Sequence, residues 1–249
     1  LMGYDCSGLG VFPFTPVNID LIEGKASDIL KLQYTEAKVQ LLPGISTYVG
    51  GDIVSGLFAC DFDKNEEVCM LIDLGTNGEM AIGNKDRILV TSTAAELLKE
   101  ELIDETGRLE DDYFDEGYPL AETADGKTIF FTQKDMREIQ LAKAAICAGA
   151  ETLAHHYGID REDISKIYVA GGFGYKLDTD KAIAIGMFPE EFQGHIEAVG
   201  NSSLAGAEKY LRDPDGEARV RRIVELSEEI SLSTDKVFND AYMDAMFFE

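Results

Sequence analysis

Apolar residues along the chain follow two spacings, one typical of buried strands and one typical of helices. Short apolar runs at residues 68–73 and 166–170 indicate buried strands, and each leads directly into glycines. Between them, residues 133–157 repeat apolar positions at helical spacing, with Thr132 placed to cap the start and Gly158 to end the helix. This alternation of strands and helices predicts an α/β fold.

The same pattern predicts the elements around these segments. Residues 79–83 and 87–91 continue the first strand as a meander, and a helix begins after Gly51. From residue 164 the chain alternates strand, loop and helix, which predicts a mostly parallel sheet with helices on both faces. Residues 104–126 are acidic and rich in turn formers, so we predict a surface loop there. The other predicted elements are strands at 129–131 and 197–199 and helices at 96–102, 179–185, 204–211, 219–226 and near residue 245.

Two glycine-rich turns carry the candidate chemistry. The first reads Asp73-Leu74-Gly75-Thr76-Asn77-Gly78 and the second reads Gly171-Gly172-Phe173-Gly174. Because glycine has no Cβ, backbone N–H groups in such turns can approach an anion closely, which predicts phosphate binding. Neither turn matches the G-x-x-x-x-G-K-[ST] loop or the G-x-G-x-x-G dinucleotide fingerprint.

The acid at the end of the first strand adds a metal ion to this prediction. A carboxylate is repelled by a bare phosphate, so Asp73 favours a divalent cation between the two, with Mg²⁺ and its waters as the best candidate. Thr76 and Asn77 can donate side-chain hydrogen bonds to phosphate oxygens. The alternative is that Asp73 caps a turn and that the glycines serve only the turn.

The pair of turns resembles that of the actin, sugar kinase and Hsp70 superfamily of ATPases. Within the superfamily, the sequence is most similar to the ATP-dependent reductive activators of corrinoid proteins. The resemblance is carried by residues 41–52, 73–79, 133–145 and 169–178, and by residues 50–56 and 200–207 at the positions of the two helices that connect the lobes.

This resemblance implies the fold and its division. The expected fold is α/β, the actin-like ATPase (ribonuclease H-like) fold, with a mixed sheet flanked by helices and with one complete lobe plus part of another. Residues 1–60 would be the remnant of the first lobe with a connecting helix. Residues 61–226 would form the second lobe with the nucleotide-binding loops, and residues 227–249 a C-terminal helical extension.

The resemblance also implies a site for ATP and Mg²⁺. Asp73 would hold the water shell of the metal, and Asp52 would orient or activate the attacking water; the alternative for Asp52 is a helix N-cap. Gln140 and Lys143 would reach the ribose or adenine, although a solvated helix face also accounts for Lys143. The remaining residues implied in nucleotide binding are Gly75, Thr76, Asn77, Gly78, Gly171, Gly172, Phe173 and Gly174.

The implied function is an ATPase domain that drives the reduction of an inactive Co(II) corrinoid protein to Co(I), within a cytoplasmic homodimer. The electron would come from an iron–sulfur cluster in a domain that precedes this chain in the family. The alternatives are a catalytically silent dimerisation or partner-binding module and a small-molecule kinase.

Two departures from the family pattern limit these expectations. The family has an earlier Asp-x-Gly-Thr-Thr turn and a cysteine-ligated cluster domain, neither of which occurs in this sequence, so the chain reads as a C-terminal fragment. After Ala95 the family continues through a glycine-rich segment, whereas helical spacing begins at once here. We therefore expect the isolated chain to bind ATP weakly and to hydrolyse it little.

Composition excludes other classes of function. The formal net charge of −25, from 47 acidic and 22 basic residues, argues against nucleic-acid binding, because a polyanion is bound through Lys and Arg. No apolar run is long enough to span a membrane. The four cysteines are scattered without a C-x-x-C pair, and reduced thiols are expected. His155 and His156 are adjacent and face different directions on a helix, so a shared metal is not expected.

Overall fold

The structure is a computed structural model, and it describes residue 7 and residues 15–31, 36–75, 77–94, 106–123 and 125–248. The strands are β1 (Ile22–Lys25), β2 (Lys38–Leu41), β3 (Cys69–Leu74), β4 (Asn77–Gly83), β5 (Ile88–Ala94), β6 (Tyr118–Glu122), β7 (Thr128–Phe131), β8 (Lys166–Ala170), β9 (Ile196–Gly200) and β10 (Ser227–Glu229). The helices are α1 (Ala26–Ile29), α2 (Gly51–Ala59), α3 (Asp111–Phe114), α4 (Gln133–Tyr157), α5 (Gly171–Gly174), α6 (Thr179–Ala184), α7 (Ser202–Arg212), α8 (Gly216–Leu226) and α9 (Lys236–Asp244).

A six-stranded sheet, in the order β10-β5-β4-β3-β8-β9, forms the centre of the molecule. β3 pairs with β4, and β4 with β5, in antiparallel register, whereas β3–β8, β8–β9 and β5–β10 are parallel. β3 lies in the interior of the sheet, and five of its six residues are buried, which accounts for its nearly continuous apolar sequence. The predicted mixed sheet is therefore confirmed.

The two faces of this sheet bury separate cores. One face packs against α4 and α6, with Ile146, Leu153 and Ala182 among the buried residues. The other face packs against α2 and α8, through Val54, Leu57 and other apolar residues that include Val220 and Ile223. Helices therefore cover both faces, as predicted.

α2 and α7 cross at very short range. A Cβ added to Gly206 of α7 would stand 1.9 Å from the carbonyl oxygen of Ser55 in α2, so only glycine permits this approach. Ser55 also donates a hydrogen bond from its hydroxyl to the carbonyl of Ser203 at 2.7 Å. The crossing combines a close backbone approach with this side-chain hydrogen bond, and it joins the segment predicted as the remnant lobe to the rest of the chain.

α4 begins and ends where the sequence predicts. Thr132 and Asp135 form a capping box, in which each side chain accepts from the backbone N–H of the other residue. Gly158 follows the helix in the left-handed conformation, at φ 89°, and its N–H closes the last turn. Local chemistry is sufficient to set both ends of this helix.

Two regions differ from the sequence prediction. Residues 104–126 were expected to form a loop, but their described part contains α3 and β6, and β6 pairs with β7 as a hairpin. Tyr113 and Tyr118 stack edge to face at 5.1 Å and hold this segment against Leu109 and Phe131, a short-range apolar contact that the acidic composition concealed.

The segment after residue 226 begins with β10, which joins the sheet, before α9. The helix predicted at 96–102 lies outside the described residues.

Candidate functional site

The two glycine turns leave the same end of the central sheet. β3 and β8 are parallel neighbours, and their register places Asp73 beside Ala170. The first turn follows β3 directly and leads into β4, where Gly78 pairs with Leu74. The second turn begins at Gly171, one residue beyond β8. Parallel pairing therefore brings together two segments that lie about a hundred residues apart in sequence.

The two turns are in close contact at Gly171. This residue has φ 89°, and an added Cβ would stand 2.3 Å from the carbonyl oxygen of Leu74 and 2.8 Å from the Oδ1 atom of Asp73. Neither the backbone conformation nor the space accepts a side chain. Gly172, the next residue, is exposed and has nothing within 4 Å of an added Cβ, so its backbone faces open space.

Asp73 is a half-buried carboxylate without a cationic partner. Among the residues that the structure describes, it forms no salt bridge, and it accepts one long hydrogen bond, from the Ser202 hydroxyl to Oδ2 at 3.4 Å. Desolvation by burial, followed by the charge of nearby Asp52, raises the pKa of Asp73 above its ordinary range. A divalent cation here would offset both effects, so the residues fit the metal that the turn predicts.

Asp52 lies in the first turn of α2, close enough to Asp73 for its charge to raise the pKa of that carboxyl. It is exposed, and its Oδ1 accepts a hydrogen bond from the N–H of Ile53 at 3.0 Å. The N-cap position belongs to Gly50, so Asp52 is not the N-cap that was considered as its alternative role. The carboxylate remains accessible from solvent on the side of Asp73.

The other turn residues divide between accessible and buried positions. Gly75 is exposed, Gly78 and Gly174 are buried, and Phe173 packs partly against the core beneath β3 and β8. An added Cβ on Gly174 would meet Val169 Cγ1 at 2.8 Å. Thr76 lies outside the described residues, and the structure does not describe the side chain of Asn77. Among the turn residues whose burial is described, Gly75 and Gly172 are the exposed ones.

Gln140 and Lys143 lie in the buried face of α4, where they are 2% and 1% exposed. Gln140 Nε2 donates to the carbonyls of Thr106 at 2.8 Å and Met246 at 2.9 Å. Lys143 Nζ donates to the carbonyl of Phe247 and lies 4.5 Å from the ring centroid of Phe248. A solvated helix face, considered above for Lys143, is therefore wrong.

Sequence reasoning missed two parts of this region. Ser202, the only described side chain that hydrogen bonds to Asp73, could have been found from its place at the start of the second predicted connecting helix. The segment 246–248, which covers Gln140 and Lys143, gave no signal beyond its apolar character. Its contact spans more than a hundred residues of sequence.

In the described part of the chain, no three histidine, cysteine, aspartate or glutamate side chains lie close enough together to hold a metal ion. The described Cys60, Cys69 and Cys147 are free thiols, and burial raises the pKa of Cys60 to about 12. His156 contacts Asp235 at 2.7 Å, whereas His155 has no part in that bond. Among the described residues, no helix is long and apolar enough to cross a membrane.

Comparison with known proteins agrees with the fold. The sheet, the two crossing helices and the paired glycine turns define an actin-like domain, the class also called ASKHA. The C-terminal domain of RACo, the ASKHA domain, matches residues 67–97 and 95–249, and the RACo middle region matches residues 1–65. The chain belongs to the RACo family. The two parts of the first match overlap at residues 95–97.

Similar proteins carry related names. The corrinoid activation enzyme RamQ of Eubacterium limosum is 28% identical over an alignment 308 residues long. The alignment covers 94% of this chain and 51% of RamQ. A [Co(II) methylated amine-specific corrinoid protein] reductase of Methanosarcina barkeri is 25% identical, over 88% of this chain and 53% of the reductase. The solved reductive activator for corrinoid, iron–sulfur protein superposes with a TM-score of 0.86 at 26% identity, covering 98% of this chain and 50% of that chain. The chain thus spans about half the length of these relatives.

Proposed function

We propose that this chain is the nucleotide-binding part of an activator that uses ATP to drive the reduction of a Co(II) corrinoid protein to Co(I). The observation that carries the proposal is the uncompensated carboxylate of Asp73, held beside two glycine turns at the end of two parallel strands. The names of the relatives support the corrinoid part of the proposal. The nucleotide part rests on the site itself.

The proposed roles follow from the positions of the side chains. Bound Mg²⁺ would neutralise phosphate charge during phosphoryl transfer. Asp73 would hold the water shell of the metal, because its carboxylate is fixed at the strand end and has no counterion among the described residues. Exposed Asp52 orients the attacking water from the start of α2. Backbone N–H groups of the two glycine turns hold the phosphates, at the exposed residues Gly75 and Gly172. Positioning and charge supply most of the rate in such a reaction.

ATP would drive the unfavourable electron transfer by changing how the two lobes are arranged relative to each other. The glycine-mediated crossing of α2 and α7 joins the two lobes of the proposed motor, and a hinge there lets nucleotide favour one arrangement over the other. In the proposed protein, the closed arrangement presents the corrinoid partner to an iron–sulfur domain outside this chain. A homodimer in the cytoplasm stays part of this prediction.

Replacing Asp73 by Asn in the full-length protein tests the proposal. We expect loss of ATP-dependent Co(I) formation, followed by the absorbance of the corrinoid, while the iron–sulfur cluster remains reducible. Asp86→Asn, on the exposed hairpin between β4 and β5, is the matched control and should retain activity. Reactivation at the wild-type rate by the Asp73→Asn protein would contradict the assigned metal role.

A catalytically silent partner-binding module remains the second candidate, because the segment 246–248 covers Gln140 and Lys143 in this chain. Phosphate release by the full-length protein separates the two candidates. Turnover that depends on Mg²⁺ supports the ATPase, whereas corrinoid activation without any turnover supports the module.

A further inference from the structure

We propose that residues 246–248 form a displaceable plug over Gln140 and Lys143, and that ATP binds this part of the site only after the plug has left. The inference rests on the proposed function, since it concerns how the adenosine side of the same site is regulated. We define the plug as the segment Met246-Phe247-Phe248 that follows α9.

Two polar side chains lie in the buried face of α4. Gln140 and Lys143 lie one helical turn apart on α4, and each is almost completely buried, although a buried ammonium and a buried amide are both expensive to desolvate. Neither side chain is needed for the packing of α4 on the sheet, which uses Ile146, Leu153 and other apolar residues. Polar groups in such a place indicate a binding surface.

The plug covers Gln140 and Lys143 with hydrogen-bond acceptors and an aromatic ring. The plug presents two backbone carbonyls and one aromatic ring: Met246 accepts from Gln140, Phe247 accepts from Lys143, and the Phe248 ring stands 4.5 Å from the Lys143 ammonium. Hydrogen-bond acceptors and a flat π-system are also what a purine base offers. The plug therefore satisfies the same donors that the adenosine side of a nucleotide would use.

The plug leaves one hydrogen-bond acceptor unsatisfied. The Oε1 atom of Gln140 is buried and has no hydrogen-bond partner among the residues that the structure describes. A buried acceptor without a donor is unfavourable, because it has lost its bonds to water. The plug ends in carbonyls and a phenyl ring at this point, neither of which can donate. A ligand that carries an amino group, such as adenine, would supply the missing donor.

The plug and α9 are attached along α4, but without fully buried side chains in α9. α9 packs on α4, and Phe248 packs against a cluster that contains Met136 and Ile139. The Asp235 cap of α9 accepts from the N–H of Phe238 at 3.0 Å and contacts His156. No residue of α9 is buried, and Met243 and Phe247 are 62% and 54% exposed. An element that buries no side chain completely opens at a lower cost than the core of the sheet. Displacement by a ligand is therefore feasible without unfolding the sheet.

Two neighbouring phenylalanines provide a matched pair of variants. Phe248→Ala removes the ring over Lys143 and weakens the plug, whereas Phe247→Ala removes an exposed ring and leaves the plug in place. In the full-length protein, titration with ATP and Mg²⁺ should give a dissociation constant lower by about fivefold or more for Phe248→Ala, because the competent fraction of the protein rises. The value for Phe247→Ala should stay within about twofold of wild type.

Amide hydrogen exchange gives a second readout that does not depend on turnover. Addition of ATP and Mg²⁺ to the wild-type protein should speed exchange in residues 236–248, and Asp235→Ala, which removes the cap of α9, should speed it without nucleotide. Unchanged or weaker ATP binding by Phe248→Ala, or slower exchange in residues 236–248 with ATP, would overturn the plug while leaving the proposed function intact. If wild type and all three variants bind no ATP, the plug and the nucleotide part of the proposed function fall together.

Discussion

The two ends of α2 both carry clusters of acidic side chains, yet only one end provides a counterion. Beyond the last turn, Asp61 and Asp63 meet Arg219 of α8, whose guanidinium donates to Asp63 at 2.6 and 2.7 Å and to Asp61 at 2.7 Å. At the first turn, Asp52 and Asp73 approach each other, and neither forms a salt bridge within the described residues.

This difference separates the acids that the protein itself neutralises from the pair that we propose to bind a metal ion. Burial favours the neutral form of Asp61, but hydrogen bonds from Lys209 and Arg219 outweigh it and lower the pKa of that carboxyl. Burial also acts on Asp73, where the charge of Asp52 adds to it and the pKa rises. The same helix thus joins a neutralised cluster to a pair of carboxylates that a metal ion can neutralise.

Removing the counterion at the neutralised end should have the largest effect. Arg219 is 8% exposed at its side chain, and Arg219→Met leaves Asp63, 3% exposed, without its partner. We expect a loss of about 3–5 kcal/mol in the free energy of unfolding, measured with urea. Arg221→Met is the control on the same helix, because Arg221 is 55% exposed and pairs with Glu217; its loss should be about 0.5 kcal/mol or less. Equal losses for the two variants would show that the Arg219 cluster is not buried in solution.

A smaller effect is expected where the two turns touch. Gly171→Ala places a Cβ against the Leu74 carbonyl and forces a left-handed φ on alanine, so we expect a loss of about 1–3 kcal/mol. Gly172→Ala adds a methyl group to open space and should be neutral within about 0.5 kcal/mol. Urea unfolding of both variants measures this contrast. Equal stability of Gly171→Ala and wild type would mean that the turns do not meet as described.

The smallest effect should be a gain in the free energy of unfolding when Asp73, at the other end of α2, is replaced. The pKa of Asp73 in the folded chain is raised above its ordinary value of 3.8, so the carboxylate destabilises the native state at neutral pH. Without metal or nucleotide, Asp73→Asn should therefore raise the free energy of unfolding at pH 7 by about 0.5–2 kcal/mol.

The sign of this effect can be checked by acidification. Protonation of Asp73 stabilises the folded state fully below pH 3.8, and this stabilisation is lost as the pH rises through the raised pKa. The difference in stability between the Asn variant and wild type should therefore shrink as the pH falls through the same window. Thermal melts from pH 3 to 7 measure it. An advantage that persists unchanged at the lowest pH would assign the gain to something other than the charge of Asp73.

Local signals in the sequence account for most of the fold and for the turns. Thr132 and Gly158 set the ends of α4 by themselves, and the apolar run of β3 predicts a strand buried on both faces. The register between β3 and β8 then follows when the two glycine turns are placed at the same end of the sheet. The environments of Asp63 and Lys143 could not be predicted, because their partners, Arg219 and the plug, come from segments more than a hundred residues away. The compensation of these buried charges depends on long-range contacts, whereas exposed pairs such as Arg221 and Glu217 follow from helical spacing.

The most direct test of the central claim is a crystal structure of the full-length protein with Mg²⁺ and a non-hydrolysable ATP analogue. We predict the phosphates between the two glycine turns, the metal joined to Asp73 through water, and the segment 246–248 displaced from Lys143. A triphosphate bound elsewhere, with both turns empty and Asp73 free of the metal's water shell, would contradict it.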